Sequence, residues 1–220
     1  MKLTYMAHAC FLLEINGLRI VFDPYKHHSF SGAVGYDKLN VSADIVLLSH
    51  HHDDHAGIEE VSGQFDVIDS EGEWEYDGVK IKGVLSYHDP ENGKLRGKNT
   101  VFIVSTETCS VAHLGDQGVV DANVINELSN VDLVMVPVGG TYTLGPKEAC
   151  EFITQLKAPK TIVPMHYKTP KLGFPIKGVD EFLTVCSSIP SIEVGSSQVQ
   201  VEDILEQENK KIVVMKMAKL

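Results

Sequence analysis

The first half of the chain alternates short apolar runs with turn residues, a strand pattern. Residues 2–6, 10–15 and 18–22 are such runs, and Asn16-Gly17 between the last two is a hairpin signal because both residues tolerate a positive φ. Asp23-Pro24 ends the third run. Residues 25–40 carry Gly, Ser and His without periodicity and read as a loop. A buried strand is predicted over 44–49, a short helix over 57–61 and a strand over 65–68. Asp77-Gly78 marks a second hairpin between 73–76 and 79–86. The polar stretch 89–98 reads as a surface loop, and 100–105 should pair with 109–113.

The second half changes rhythm. Helices are predicted over 121–128, 146–156 (with Pro at the first turn) and 179–186, and strands over 132–136, 161–163, 198–202 and 211–217. A strand-rich half followed by alternating helices and strands predicts a layered α+β or α/β fold, with helices outside two sheets. No linker of biased composition and no short repeat divides the 220 residues, so one domain over 1–220 is expected.

Composition narrows the class. The formal net charge of −11, with scattered Lys and Arg, repels phosphate backbones, so no nucleic-acid partner is expected. Cys10, Cys109, Cys150 and Cys186 form no C-x-x-C pair and sit in apolar surroundings. They are expected to be buried, reduced thiols of a cytoplasmic protein. The N-terminus lacks the features of a secretion signal and no apolar run is long enough to span a bilayer, so no membrane is expected. Oligomeric state is not legible.

The segment Ser49-His50-His51-His52-Asp53-Asp54-His55 contains the pattern H-x-H-x-D-H at His50, His52, Asp54 and His55, directly after a buried strand. Imidazole and carboxylate are ligands that zinc prefers, and a tight turn can aim several at one point. A solvated His-rich tract is the plain alternative. Three further apolar strands run into His88, Asp116 and His166. Ligands gather at such strand ends because the loops there converge.

These residues resemble the metallo-β-lactamase superfamily, a four-layer αββα sandwich, over nearly the whole chain. The H-x-H-x-D-H motif, Asp23-Pro24, His88, Gly115-Asp116 and His166 carry the likeness. Ala7-His8-Ala9-Cys10-Phe11, the run from Pro137 to Pro146, and Pro164-Met165-His166-Tyr167 make it most similar to small bacterial zinc- or metal-dependent hydrolases of unassigned substrate, with ascorbate-phosphate lactonases as more distant relatives. The resemblance implies a ligand set: His50, His52 and His88 on one zinc, Asp54, His55 and His166 on a second, and Asp116 bridging both. Manganese or iron are substitutes. Such ions sit ~3.5–4 Å apart and lower the pKa of a bridging water toward ~7. The resulting hydroxide, oriented by Asp54, would attack an ester, lactone, amide or phosphoester of a small substrate, an anionic one by preference.

Several positions stay open. His113, near Asp116, competes with His88, which is preferred because it ends a long strand and heads a polar loop. His8 either lies at the metal mouth or is a hydrogen-bonded core histidine. Asp23 either steadies a ligand imidazole or only shapes the Asp-Pro turn. In the turn 139–143 the glycines could offer N–H groups to an anion, with Thr141 and Tyr142 as substrate contacts, or the turn could simply lead into a helix capped by Thr143. Arg96, Lys98 and Lys168 are candidate anion contacts or solvated charges. His27, His28 and His51 are not expected as ligands, and Trp74 is expected to pack. Rival classes are a di-iron redox protein, whose relatives place Glu where His52 stands and usually pair with a flavin domain; a nuclease, which ordinarily carries a basic arm; and a non-catalytic metal module, which is ordinarily a closed one-metal site.

Overall fold

The computed structural model describes residues 1–158, 161–205 and 209–220. β1 (Lys2–Ala7), β2 (Cys10–Ile15) and β3 (Leu18–Phe22) form the expected meander, and Asn16 and Gly17 turn the second hairpin with φ of 49° and 83°. Within the 25–40 segment lies a single tight turn, α1 (Ser29–Gly32), in which Phe30 and Ser31 are left-handed. β4 (Val41–Ser42), β5 (Ile45–Leu47), β6 (Val61–Ser62) and β7 (Asp66–Ile68) follow, and the helix expected at 57–61 is one 3-10 turn, Ile58–Glu60. β8 (Gly72–Tyr76) and β9 (Val79–Tyr87) make the second hairpin, then β10 (Lys98–Ser105) and β11 (Ser110–His113).

The second half alternates as predicted: α2 (Ala122–Glu127), β12 (Leu133–Pro137), α3 (Pro146–Gln155), β13 (Thr161–Met165) and α4 (Val179–Val185). β14 (Ser191–Glu193) is an addition. All three of its residues are exposed, so no burial pattern marks it in the sequence. The strand expected over 198–202 divides into β15 (Gln198–Gln200) and the single turn α5 (Val201–Ile204), and β16 (Lys211–Val214) ends three residues early.

One sheet runs β15-β1-β2-β3-β5-β7 and the other β14-β16-β13-β12-β11-β10-β9-β8. They face each other: Phe22 of β3 stacks on His113 of β11, ring centroids 5.1 Å apart. β11, β12, β13 and β16 pair in parallel, which requires crossover connections, and those carry α2, α3 and α4. β12 and β13 are buried throughout because both faces of this sheet are covered. In α3, Pro146, Ala149, Phe152 and Ile153 form the buried stripe. Its N-cap is Gly145, not Thr143, whose hydroxyl bonds Leu144 O.

The cysteine expectation needs correction. Cys150 on α3 and Cys186 at the end of α4 form a disulfide, Cα atoms 5.5 Å apart. They are 36 positions apart, and only the side-by-side packing of the two helices brings them together. Cys10 and Cys109 are buried free thiols. Among the described residues no helix is long and apolar enough to cross a membrane.

Strand parity places the chemistry. β1, β3 and β5 run the same way, because β1–β2–β3 are antiparallel neighbours and β3–β5 are parallel. By the same count β9, β11, β12 and β13 share a direction. Their carboxyl ends deliver His8, Asp23, the His50–His55 turn, His88, Asp116 and His166 to one edge. Gly115 makes the last approach feasible. Its φ is 54°, and a Cβ there would lie 2.4 Å from both the Ser49 Cβ and the Asn99 Oδ1.

Candidate metal centre

Asp116 is the hub. Its Oδ1 lies 3.1 Å from His55 Nε2 and 3.3 Å from His166 Nε2; its Oδ2 lies 3.1 Å from His88 Nε2 and 3.9 Å from His50 Nε2. Asn99 fixes it from behind, accepting the Asp116 N–H at 2.9 Å while donating to Leu114 O at 2.9 Å. Two groups of ligand-type atoms flank it. His50, His52 and His88 form one, and His8, Asp54, His55 and His166 the other, the atoms of each lying within 4.8 Å of one another.

Hydrogen bonding assigns the tautomers. The Ser49 hydroxyl donates to Asp23 Oδ2 at 2.6 Å, so it must accept from His50 Nδ1, 2.9 Å away. His55 Nδ1 donates to the same Asp23 oxygen at 2.8 Å, and Asp23 Oδ1 accepts the Ser49 N–H at 2.7 Å. Both rings are thereby fixed with Nε2 turned to Asp116, the outer-carboxylate arrangement that orients metal-binding imidazoles. His8 Nε2 bonds Asp54 Oδ2 at 3.0 Å.

The residues fit a metal. His50 Nε2, His55 Nε2, both His166 nitrogens and Asp116 Oδ1 are buried and make no hydrogen bond among the described residues. Buried polar atoms without partners are costly, and here they converge on common points. Burial, helped by the His55 charge, lowers the His50 pKa to about 3, and burial lowers that of His166 to about 3, so both rings are neutral donors at pH 7. Burial opposes a charge on His55, yet Asp116 and Asp54 prevail and raise it well above the ordinary value. His88 is raised likewise against burial by Asp116. Burial also works against the Asp116 and Asp54 carboxylates, but His166 and His55 hold the first, and His55 and His8 the second, below the usual range.

One consequence is measurable. With its pKa raised, His55 is expected to hold a proton in metal-free protein at pH 7, which a metal must displace. Zinc uptake is expected to release protons, seen as a dependence of the calorimetric heat on the buffer's ionisation enthalpy, and affinity should fall as pH falls. Uptake without proton release would contradict this electrostatic picture.

A cavity of about 250 Å³ opens over the cluster, lined by Phe30, His52, Asp54, His88, Arg96, Asp116, Tyr142, His166 and Phe174. A larger cleft of about 910 Å³ beside the turn 139–145 and α4 holds none of the cluster residues. All seven expected ligands are brought together. His113 is not among them: its Nε2 donates to Ala9 O at 2.7 Å and its Nδ1 accepts the Gly115 N–H, so it braces the strands. His8 and Asp23 both contact the cluster residues directly.

The substrate candidates divide. Arg96 and Tyr142 line the cavity. Lys98 is exposed at the start of β10 and lies outside it, and Lys168 donates to Leu172 O and, at 2.8 Å, to Phe174 O, closing the loop that carries Phe174. Thr141 bonds Pro175 O at 2.9 Å and does not line the cavity. The Gly140 N–H bonds Leu144 O, so it is not offered to an anion. His27 bonds Tyr36 O, and the exposed His51 pairs with Asp69. Trp74 is half-buried against the core. Sequence reasoning missed Ser49, Asn99, Phe30, Phe174 and Asp89. Asp89 is a buried carboxylate that accepts the N–H groups of Glu91, Gly93, Leu95 and Arg96 and thereby folds the loop after His88. The spacing D-x-E-x-G-x-L-R gives no hint of that, although a polar residue directly after a strand was a signal available to use.

Two facing mixed sheets with a histidine–aspartate cluster at one edge define a metal-dependent hydrolase scaffold. Comparison with known proteins agrees. The profile of the β-lactamase superfamily domain matches residues 2–166. A UPF0173 metal-dependent hydrolase from Methanopyrus kandleri is 31% identical over 198 residues, covering 77% of this chain and 85% of its own. A Thermotoga maritima crystal structure assigned to the Zn-dependent hydrolases of the metallo-β-lactamase superfamily superposes with a TM-score of 0.76 at 40% identity, over 98% of each chain. The di-iron β-hydroxylase CmlA of Streptomyces venezuelae shares the fold alone, with a TM-score of 0.63 at 14% identity over 100% of this chain and 54% of that one. The chain belongs to the metallo-β-lactamase superfamily, in its branch of small metal-dependent hydrolases, and has that family's αββα sandwich.

Proposed function

We propose that the enzyme works with two metal ions, zinc by preference, and hydrolyses an ester, lactone, amide or phosphoester bond of a small molecule. The observation that carries this is the set of buried, unpartnered ring nitrogens flanking Asp116 on two sides. His50, His52 and His88 would hold one ion, Asp54, His55 and His166 the other, with Asp116 between them. When bound, such a pair lowers the pKa of a water toward ~7 and polarises the attacked oxygen.

The chain's own groups do the rest. His8 holds one oxygen of Asp54, leaving the other to orient the attacking water. Asp23 and Ser49 keep His50 and His55 aimed. Phe30, Tyr142 and Phe174 wall the cavity. Water's hydroxyl joins the acyl carbon or phosphorus, and its proton leaves with the alcohol or amine.

Manganese or iron would suit the same nitrogen and oxygen donors. The redox reading is disfavoured by His52, an imidazole where di-iron relatives carry a carboxylate. The nuclease reading is disfavoured by a lining with one arginine, Arg96, and no lysine among the described residues. The proposal includes a cytoplasmic location; the Cys150–Cys186 bridge is the feature that argues against it.

The test is a panel of aryl esters, lactones and phosphodiesters. Hydrolysis that a chelator abolishes and added zinc restores is the expected result. Turnover that survives complete metal removal, or oxygen consumption by an iron form that hydrolyses nothing on the panel, would count against the proposal.

A further inference from the structure

The cavity over the cluster has an unusual lining for a site built on charges. Phe174 meets Phe30 edge to face at 5.3 Å and Tyr142 at 5.8 Å, so three rings form a connected apolar wall. Beside them stands Arg96, its guanidinium 5.8 Å above the Tyr142 ring and donating to Thr141 O at 3.2 Å. Among the described residues that is the only hydrogen bond its side chain makes, and Arg96 is the only arginine or lysine among those that line the cavity. Its position is set in advance, because its own N–H is one of the four held by the Asp89 carboxylate, at 2.8 Å. Asp54 and Asp116 line the same cavity.

This combination selects a substrate. A guanidinium with free donors matches a planar carboxylate. One guanidinium in a lining that also holds two carboxylates favours a single negative charge away from the metals over two. At about 250 Å³ the space is below the ~300–1,000 Å³ of ordinary ligand clefts, which favours a compact molecule. The aromatic wall calls for an apolar group. Building on the proposed hydrolase activity, we infer that the substrate is a compact monoanion, with one carboxylate held by Arg96, an apolar group among Phe30, Tyr142 and Phe174, and the scissile carbonyl over Asp116.

The test uses the metal-loaded full chain and two phenyl esters with the same leaving group, monophenyl glutarate and neutral phenyl pentanoate. A hydrogen bond to a charged partner contributes ~1.5–3 kcal/mol, so a preference of roughly ten-fold or more in kcat/KM for the anionic ester, carried by KM, is expected. Arg96→Gln should erase that preference, so that the variant uses the two esters equally, and Arg96→Lys should keep part of it. Equal use of both esters by the unmodified enzyme, or a preference that survives Arg96→Gln, overturns the inference. If neither ester is cleaved, the hydrolytic reading fails for esters, and recognition is then decided by calorimetry with 3-phenylpropanoate and 3-phenylpropanamide. Tighter binding of the acid that disappears in Arg96→Gln supports the inference. Equal binding, or a preference that Arg96→Gln leaves intact and the metals therefore supply, overturns it.

Discussion

Replacing Asp116 by alanine is expected to abolish metal binding at both positions and hydrolysis with it, while the fold survives. Among the described residues, its carboxylate alone pairs within 4 Å with His50, His55, His88 and His166 together. Losing a partner outside the ligand shell of a metal costs ~10–100-fold in affinity, and a ligand shared by two ions should cost more than that. The strand ends that carry the histidines are fixed independently of Asp116, by the β-ladders and by Asp23, so circular dichroism should match that of the parent chain. In the metal-free protein the same change removes the carboxylate that raises the pKa values of His55 and His88. The proton release on zinc addition should therefore shrink along with the affinity. An Asp116→Ala protein that retains two ions, or full activity, would remove Asp116 from the centre of the site.

The second large effect is expected at Asp23. It is fully buried and accepts three hydrogen bonds, from the Ser49 N–H, the Ser49 hydroxyl and His55 Nδ1. Asp23→Ala leaves those donors buried without an acceptor, and breaking such a buried network costs about 3–5 kcal/mol. Denaturant unfolding of the metal-free protein measures it. A loss under about 1 kcal/mol would mean that water replaces the carboxylate and that Asp23 is only a turn residue. The pH dependence has a definite sign. Burial works against the Asp23 charge, but His113 and His55 outweigh it and hold the pKa below the ordinary carboxylate value. Its contribution to stability is therefore present above the unfolded-state pKa and is lost as pH falls through the lower folded value. The alanine variant should lack that portion of the parent's acid destabilisation. Metal affinity should also drop ~10–100-fold, because the rings of His50 and His55 lose their orientation.

How much of this was legible in the sequence follows from what each residue does. Metal-type ligands cluster at strand ends, and strands announce themselves by apolar runs, so His50, His52, Asp54, His55, His88, Asp116 and His166 could be read one strand at a time. The choice of His88 over His113 rested on alternation along a strand, and the structure places His113 between the sheets against Phe22. Ser49, Asn99 and Asp89 were not legible because their partners are backbone groups or residues far along the chain: Asp23 is 26 positions from Ser49, and Asn99 meets Asp116 across 17. Phe30 and Phe174 are apolar residues in loops, where nothing separates a cavity wall from ordinary packing. The disulfide escaped for the same reason, since it depends on how α3 and α4 lie together. β14 escaped because an exposed edge strand has no buried face to impose an alternating pattern. Among the polar candidates, Lys98 and Lys168 look like Arg96 in sequence. Only the loop folded by Asp89 puts one of them over the cluster.

The most direct test of the two-metal centre is the metal content per chain, determined by elemental mass spectrometry on protein purified without a metal-affinity tag and then given zinc in excess and desalted. The expected result is two ions per chain. A chain that takes up none, or one ion whose binding is unaffected by Asp116→Ala, would contradict a centre in which Asp116 joins two sets of ligands.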